Sequence, residues 1–329
     1  MGFFTKKQNS CLGIDFGSSG IKVVELTREG ERVYLSNYAL AQAGDYSIIN
    51  LAKFDADQLS LLLQNVLSQA NIKSRQAVIS LPVDETFSTL INMPLMPEEE
   101  MAQAIPYEAR KYVPVPIEEV ALDWSLVKDF SGAGKNNPPK PDQSLTEAIT
   151  VDSSKKGDIG SKTVQVLIVA VPQELIKKIA KIAQAVNLNV LALEQEAFSM
   201  VRSLIGNDLA AYLLIDLGED NIDLIIIDEG AIRLIHTIEK IKPPELAVEI
   251  TKVVADYQNR FNRQVIKAIL TGGAAIEPVY QAAITQGLTI EAGIGDPFAR
   301  VAYDQKLASV FKEIGPFMAV AVGAAMREI

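Results

Sequence analysis

Two short segments, residues 14–22 and 215–223, carry side chains suited to binding a phosphate group together with a divalent cation. Each predicts a strand, a turn and a second strand, and the two align in phase as Ile-Asp-x-Gly-x-x-x-Ile. The recurring positions are Asp15 with Gly17 and Asp216 with Gly218. When two such hairpins face one another, amides at their tips bind phosphate oxygens and the two carboxylates lie near a hydrated Mg²⁺. One such turn indicates only a tight hairpin, but two in opposite halves of the chain predict a phosphate clamp.

A third segment, Thr271-Gly272-Gly273, ends a predicted buried strand at residues 265–270 and precedes a predicted helix. A Gly-Gly turn between a strand and a helix lets the backbone approach a flat ring or a ribose closely. Taken alone, the turn also suits a plain connection. The two hairpins favour a role in ligand binding.

The composition restricts the chemistry to carboxylates, glycines and backbone amides. The chain of 329 residues holds a single cysteine, Cys11, and a single histidine, His236. These counts exclude a disulfide framework and a cysteine- or histidine-rich metal centre, and they disfavour a Ser-His-Asp hydrolase. With 31 basic and 41 acidic side chains the formal net charge is −10, so generic nucleic-acid binding is not expected. No apolar run approaches the length of a signal peptide core or a membrane span, and we expect neither.

The elements that must position these residues alternate between strand and helix, which predicts an α/β fold. Apolar residues at helical spacing predict an amphipathic helix over residues 55–69, followed by a strand at 76–81. In the second half, a long helix is predicted over residues 244–262 and a last helix over 316–327. The length of the chain suggests two domains or one large unit with two lobes.

A stretch in the middle of the chain has a different pattern. Residues 82–130 predict a small inserted α/β subdomain, whose helix starts near Glu98 and is kinked or broken at Pro106. Residues 131–162 are rich in Ser, Gly, Pro, Lys and Asn and predict a flexible loop without chemistry. The strand at residues 163–171 is predicted to return the chain to its main body.

These motifs resemble, in type and order, those of the ATPase superfamily of actin, the heat-shock chaperones and the sugar kinases. The matching segments are, in chain order, residues 15–22 (phosphate 1), 194–198 (connect 1), 216–218 (phosphate 2), 271–273 (adenosine) and 319–326 (connect 2). The resemblance implies an actin-like (ribonuclease H-like) bilobed α/β fold with two duplicated mixed-sheet lobes. It also implies ATP or ADP with Mg²⁺ as the ligand.

The resemblance further implies which residues meet that ligand. Asp15 and Asp216 would hold Mg²⁺ through water. Glu194 is the candidate for positioning an attacking water, with a plain acid at a helix start as the alternative. The residues implied to bind the nucleotide are Asp15, Gly17, Ser18, Ser19, Gly20, Lys22, Asp216, Gly218, Gly272 and Gly273.

Within this superfamily the chain is most similar to the PilM family of type IV pilus assembly proteins, relatives of the division protein FtsA. The similar segments are residues 12–15, the Tyr-Glu-Ala-Arg-Lys-Tyr core at 107–112, the stretch around 296–298 and the ending at 314–327. Apart from residues 131–162, the resemblance covers nearly the whole chain.

This resemblance implies lobes that are interleaved along the chain. The segments are, in order, 1–81 (lobe 1, subdomain 1A), 82–163 (inserted 1C or SHS2-type subdomain with the loop 131–162), 164–205 (1A continued), 206–311 (lobe 2, 2A with a minimal or absent 2B) and 312–329 (a C-terminal helix returning to lobe 1).

The same resemblance implies a cytoplasmic scaffold held at the inner membrane through its partner. That partner is the N-terminal cytoplasmic tail of a PilN-like protein, bound in a groove between 1A and 1C to which residues 86–93 and 102–112 are assigned. Contacts with other inner-membrane pilus proteins are implied as well, and self-association stays open. Neither a nucleic-acid partner nor a direct membrane span is expected. The alternatives are an FtsA-like division scaffold and a small-molecule kinase of the same superfamily.

Two departures from the superfamily pattern predict weak or degenerate nucleotide binding. Glu219 and Asp220 place carboxylates at the second hairpin tip, where they would repel phosphates. Only the helix predicted over residues 244–262 separates the strands of lobe 2 from the adenosine strand, which is too little for a full 2B subdomain. We therefore expect a scaffold that is at most a weak ATPase.

Overall fold

The computed structural model describes residues 10–42, 54–127 and 163–329. The chain divides into two compact units, one formed by Met1–Thr86 with Glu174–Ile329 and the other by Phe87–Gln173. The loop predicted at residues 131–162 lies outside the described residues.

The elements alternate between strand and helix. The strands, in chain order, are β1 (Ser10–Gly17), β2 (Gly20–Glu29), β3 (Arg32–Gln42), β4 (Gln76–Leu81), β5 (Phe87–Pro94), β6 (Val120–Val127), β7 (Thr163–Pro172), β8 (Asn189–Gln195), β9 (Ala211–Leu217), β10 (Asn221–Asp228), β11 (Ala231–Glu239), β12 (Val265–Thr271) and β13 (Glu291–Ile294). The helices are α1 (Ala56–Gln69), α2 (Glu98–Ala109), α3 (Gln173–Ala185), α4 (Glu196–Leu204), α5 (Pro243–Phe261), α6 (Pro278–Gly287), α7 (Ala308–Ile314) and α8 (Ala319–Met326).

The first unit holds two five-stranded mixed sheets with the same topology. The strand order is β3-β2-β1-β4-β8 in the first sheet, here lobe 1, and β11-β10-β9-β12-β13 in the second, here lobe 2. In each lobe an antiparallel meander is continued by two parallel strands. Strand β10 is an almost unbroken buried apolar run, which is typical of a strand covered on both faces. The predicted α/β fold with two duplicated mixed-sheet lobes is confirmed.

Helix α8 contacts both lobes and approaches them closely because it is built from small residues. All of Ala319–Ala325 is buried. A Cβ atom on Gly323 would overlap the carbonyl of Ser199 in α4, and one on Gly13 of β1 would overlap the carbonyl of Ala321. The start of α8 packs with α4, β9 and β10, and its later residues pack with β2. These backbone approaches fix the position of α8 between the lobes.

One helical stretch of the described residues, Gln305–Met326, is long and apolar enough to cross a membrane by length and composition. Its most apolar window is 56% buried inside the structure. That burial is typical of a core helix, and α8 supplies much of it.

The second unit is a three-stranded antiparallel sheet of order β5-β7-β6, with α2 packed on one face. Helix α2 begins at Glu98 as predicted and continues through Pro106 to Ala109. A proline so near the end of a helix removes little of its hydrogen bonding, while Met101 and Ile105 anchor the helix in the core.

The boundaries of this inserted unit differ from the predicted 82–163. Strand β7 pairs along its length with β5 and β6, so the unit extends to Gln173 and residues 164–173 do not belong to lobe 1. At the other end, Val83 packs into the core of the first unit. Strand periodicity says which residues form β7 but not which sheet it joins, because that pairing is non-local.

We predict that Gly323→Ala destabilises the protein by about 1–3 kcal/mol, because a methyl group there drives α8 away from α4. Helix propensity alone would favour alanine at this position. The matched control is Gly293→Ala, since a Cβ on Gly293 meets nothing within 4 Å. Denaturant unfolding of both variants checks this, and equal stability of the two would contradict the role given to the α4–α8 contact.

Candidate functional site

A cleft opens where the hairpin tips of lobes 1 and 2 face the carboxyl end of β12. It holds about 790 Å³ of space outside protein atoms, its open mouth included. The sequence-predicted residues that line it are Asp15, Gly17, Ser18, Ser19, Lys22, Asp216, Gly218, Gly272 and Gly273.

The lobe 1 side of the cleft is built around an ion pair. Asp15 and Lys22 are cross-strand partners in the β1–β2 hairpin, and Lys22 Nζ lies 3.1 Å from Asp15 Oδ2 with both side chains buried. A Cβ on Gly17 would overlap Lys22 Nζ, so glycine leaves the space that the ammonium group occupies. The hairpin tip, with Ser18 and Ser19, thus carries backbone amides and a positive charge together, which suits a phosphate oxygen.

On the lobe 2 side of the cleft, two glycines allow segments of backbone to pack closely against one another. A Cβ on Gly218 would lie 2.7 Å from the carbonyl oxygen of Asn221 and would block the turn of the β9–β10 hairpin. Gly272 has φ 86°, a conformation that L-residues rarely adopt, and a Cβ there would overlap the carboxylate of Asp216. The Gly-Gly turn therefore packs directly on the second aspartate of the predicted clamp.

Carboxylates dominate the cleft. Those that line it are Asp15, Asp84, Glu196, Asp216, Asp220 and Asp223. Burial, with the neighbouring charge of Asp223, raises the pKa of Asp216 to about 7. Burial also raises the pKa of Asp223 to about 6, although Thr237 donates a hydrogen bond to it. The pKa of Glu196 is raised well above its ordinary value by burial and by the nearby aspartates. At neutral pH this cluster therefore retains part of its protons.

Polar contacts tie this cluster to both lobes. Asn221 Nδ2 of lobe 2 donates to Asp84 Oδ2, on the segment after β4, at 3.0 Å. The backbone N–H of Val83 donates to Glu196 Oε1 at 2.7 Å. The carboxylates of the two lobes thus face one another across a narrow space.

The donor set fits a cation held through water better than one ligated directly by protein. Asp15 already pairs with Lys22, and the segments that the structure describes hold no group of three or more His, Cys, Asp or Glu side chains placed to hold a metal ion. A hydrated Mg²⁺ bound to phosphate oxygens needs only one or two carboxylates beside it. Gly17 and Gly272 line the cleft beside Asp15 and Asp216, so such phosphates would lie next to these carboxylates.

Glu194, the predicted water-positioning residue, is not among the residues that line the cleft. Its oxygens accept hydrogen bonds from Arg202 at 2.7 Å and from Ser199 at 2.6 Å, and Arg327 also donates to it. Burial alone would raise the pKa of Glu194, but the hydrogen bonds and charge of Arg202 outweigh burial and lower it. These contacts correct the predicted role, because both oxygens are engaged in joining β8, α4 and the C-terminal residues. Gly20 also lies outside the lining and pairs with Gly17 at the hairpin turn.

The cleft residues that the sequence did not assign to the site include Asp84, Glu196, Asp223 and Phe317. The internal repeat could have indicated Asp223, which stands in lobe 2 where Lys22 stands in lobe 1. Glu196 is only two residues from Glu194, but the change from β8 to α4 turns it into the cleft. No local pattern marks Asp84 or Phe317.

Comparisons with known proteins agree with this architecture. A family model described as "Type IV pilus assembly protein PilM" matches residues 13–239. The structure of a PilM–PilN type IV pilus biogenesis complex matches with a TM-score of 0.77 and 20% identity, covering 97% of this chain and 98% of that one. Weaker matches include a Bacteroides thetaiotaomicron protein with an actin-like ATPase fold and unknown function (TM-score 0.47, 14% identity, 95% and 99% covered). Another is the cytoplasmic domain of EpsL, an inner-membrane component of the Vibrio cholerae type II secretion system. It matches with a TM-score of 0.49 and 10% identity, covering 96% of this chain and 94% of that one.

The duplicated lobes and the paired hairpins around one cleft define a protein of the actin-like α/β class. The family model spans more than half of the sequence. The chain therefore belongs to the PilM family of type IV pilus assembly proteins.

We predict that Asp216→Asn stabilises the folded protein at about pH 8, by about 1–3 kcal/mol, and has little effect near pH 4. Folding raises the pKa of Asp216 from 3.8 to about 7. Asp216 therefore lowers the free energy of unfolding progressively as the pH rises from about 4 to about 7. Denaturant unfolding across this range measures the effect, with Asp256→Asn on the exposed face of α5 as control. An equal change in the free energy of unfolding at both pH values would contradict the raised pKa of Asp216.

Proposed function

We propose that this protein is a cytoplasmic scaffold of the type IV pilus inner-membrane complex. Family membership carries the proposal, and the match to a PilM–PilN complex over nearly the whole chain supports it. The scaffold binds the N-terminal cytoplasmic tail of a PilN-like protein and is held at the inner membrane through that partner. Family membership favours this function over an FtsA-like division scaffold and over a small-molecule kinase.

The surface of the inserted unit supports a docking role for that tail. Tyr107 at the end of α2 is 69% exposed, and Tyr112 and Val115 just beyond it are 46% and 43% exposed. Exposed tyrosines offer a large apolar area and a polar tip, and aromatic side chains are enriched where protein partners bind. Arg110 lies over the ring of Tyr107, with its guanidinium carbon 5.6 Å from the ring centre. We assign the binding of the tail to this aromatic end of α2.

The cleft is proposed to hold Mg-ATP or Mg-ADP weakly. The backbone amides at residues 17–19 and Lys22 would meet the phosphates, and Asp15 with Asp216 would face the hydrated Mg²⁺. The phosphate groups of a nucleotide are strongly negative and accept several hydrogen bonds. Asp220 lines the same space and opposes them by charge repulsion. In this proposal the nucleotide is a bound ligand of the scaffold. That role does not require rapid hydrolysis of the nucleotide.

We predict that a synthetic peptide of the PilN-like N-terminal tail binds the full chain at tens of micromolar or tighter. Replacing both Tyr107 and Tyr112 by Ala should weaken this binding by about tenfold or more, because large aromatic anchors carry much of an interface's energy. Isothermal titration or a pull-down measures it.

The matched control for that experiment is the pair Val248→Ala and Val279→Ala, on α5 and α6 of lobe 2, each 56% exposed. These changes also remove exposed apolar side-chain atoms, at positions far along the chain from α2, and should leave binding unchanged. Absence of binding by the wild-type chain would refute the partner assignment. An equal loss of peptide affinity in the tyrosine and the valine double variants would refute the assignment of the tail to α2.

We predict that Asp220→Asn tightens the binding of Mg-ATP by about threefold, because it removes a carboxylate that repels the phosphates. The neighbouring Glu219→Gln is the control, since Glu219 is exposed and should matter little. Isothermal titration at about 100 μM protein makes the comparison. No heat from the wild type or from Asp220→Asn would end the nucleotide part of the proposal and would leave the scaffold part intact.

A further inference from the structure

Two aromatic residues, Phe16 and Phe317, line the mainly polar cleft, and Phe317 is the more exposed of the two. Phe317 lies in the helical turn Gly315–Met318 that precedes α8, is half-buried, and lines the cleft beside Pro316. Within the described parts of the chain, Phe317 belongs to none of the paired aromatic rings. Its neighbours in the cleft are chiefly carboxylates, glycines and hydroxyl groups. An apolar ring exposed in such surroundings is expected to meet a ligand with a flat or apolar part.

The ring is held in a fixed position against the Gly-Gly turn. Its Cε1 atom lies 3.3 Å from the point where a Cβ on Gly273 would stand, so the ring packs on the bare backbone of that glycine. The carbonyl oxygen of Pro316 accepts hydrogen bonds from Gly272 N at 3.1 Å and from Thr271 Oγ1 at 2.9 Å. These two bonds join the segment that carries Phe317 to the turn at the end of β12.

Lobe 2 offers little else to cover a flat ligand beside this turn. The chain passes from β11 to β12 through the single helix α5, and all of residues 163–329 are described. The ring of Phe317 therefore adds an apolar face to the backbone surface at Gly272 and Gly273 on which it packs. Lys22 and the hairpin residues Ser18 and Ser19 line the same cleft and form its polar part.

We propose that Phe317 is a positioning residue that forms the apolar wall against the nucleoside part of a bound nucleotide. The proposal rests on the nucleotide site proposed above and specifies which end of the ligand meets which side of the cleft. Stacking or edge contact with an aromatic ring discriminates a nucleotide from a bare polyphosphate, which has no ring to stack. Phe317 thereby makes the cleft selective for nucleotides over inorganic polyphosphates.

The test compares Mg-ATP with magnesium tripolyphosphate on the full chain. We expect Phe317→Leu to weaken Mg-ATP by about tenfold while tripolyphosphate affinity stays within about twofold. Phe317→Tyr keeps the ring and should bind Mg-ATP like the wild type. Isothermal titration and competition give the affinities, and unfolding midpoints of the three proteins verify that each is folded.

Other results would overturn the proposal in distinguishable ways. The ring is not the selective element if Phe317→Leu weakens the affinity for both ligands or for neither. The same conclusion follows if Phe317→Tyr also weakens the affinity for Mg-ATP. If the wild type itself binds no Mg-ATP, the nucleotide site fails and the proposal fails with it.

Discussion

The contact of α8 with β1 and α4 is the constraint on which the rest of the first unit depends. Gly13 and Gly323 allow backbone to meet backbone there, and any side chain at either position would overlap a carbonyl group. Because α8 packs on strands of both lobes, it fixes where the two hairpins face one another. Its first residues also line the cleft. The sheet topology supplies two similar lobes, and this helix makes them share one site.

Bringing the hairpins together has an electrostatic cost that the cleft does not fully compensate. Lys22 offsets Asp15, but burial raises the pKa of Asp216 and of its cross-strand neighbour Asp223, with the charge of Asp223 adding to the first and that of Asp84 to the second. Folded proteins retain such unfavourable arrangements chiefly at functional sites. A hydrated cation with phosphates would relieve part of this cost. This charge pattern is the basis on which we propose a weak nucleotide site in the cleft.

The sequence predicted what is local and missed what depends on non-local contacts. The hairpins at Asp15 and Asp216 were predictable because the motif, its glycine and the flanking apolar residues lie within one short segment. The sheet joined by β7 was not predictable, since its partners are separated from it by other segments of chain. Glu194 and Glu196 differ by only two positions, but the change from β8 to α4 turns Glu196 into the cleft, while Ser199, Arg202 and Arg327 engage Glu194.

We propose that one chain carries a partner site on the inserted unit and a ligand site in the cleft. Hydrogen–deuterium exchange of the full chain, with and without the PilN-like tail peptide, tests this claim most directly, because it maps protection along the sequence. We predict protection over α2 and the residues that follow it to Val115, with the hairpin tips near Asp15 and Asp216 unchanged. Protection confined to those tips, or to lobe 2, would contradict it.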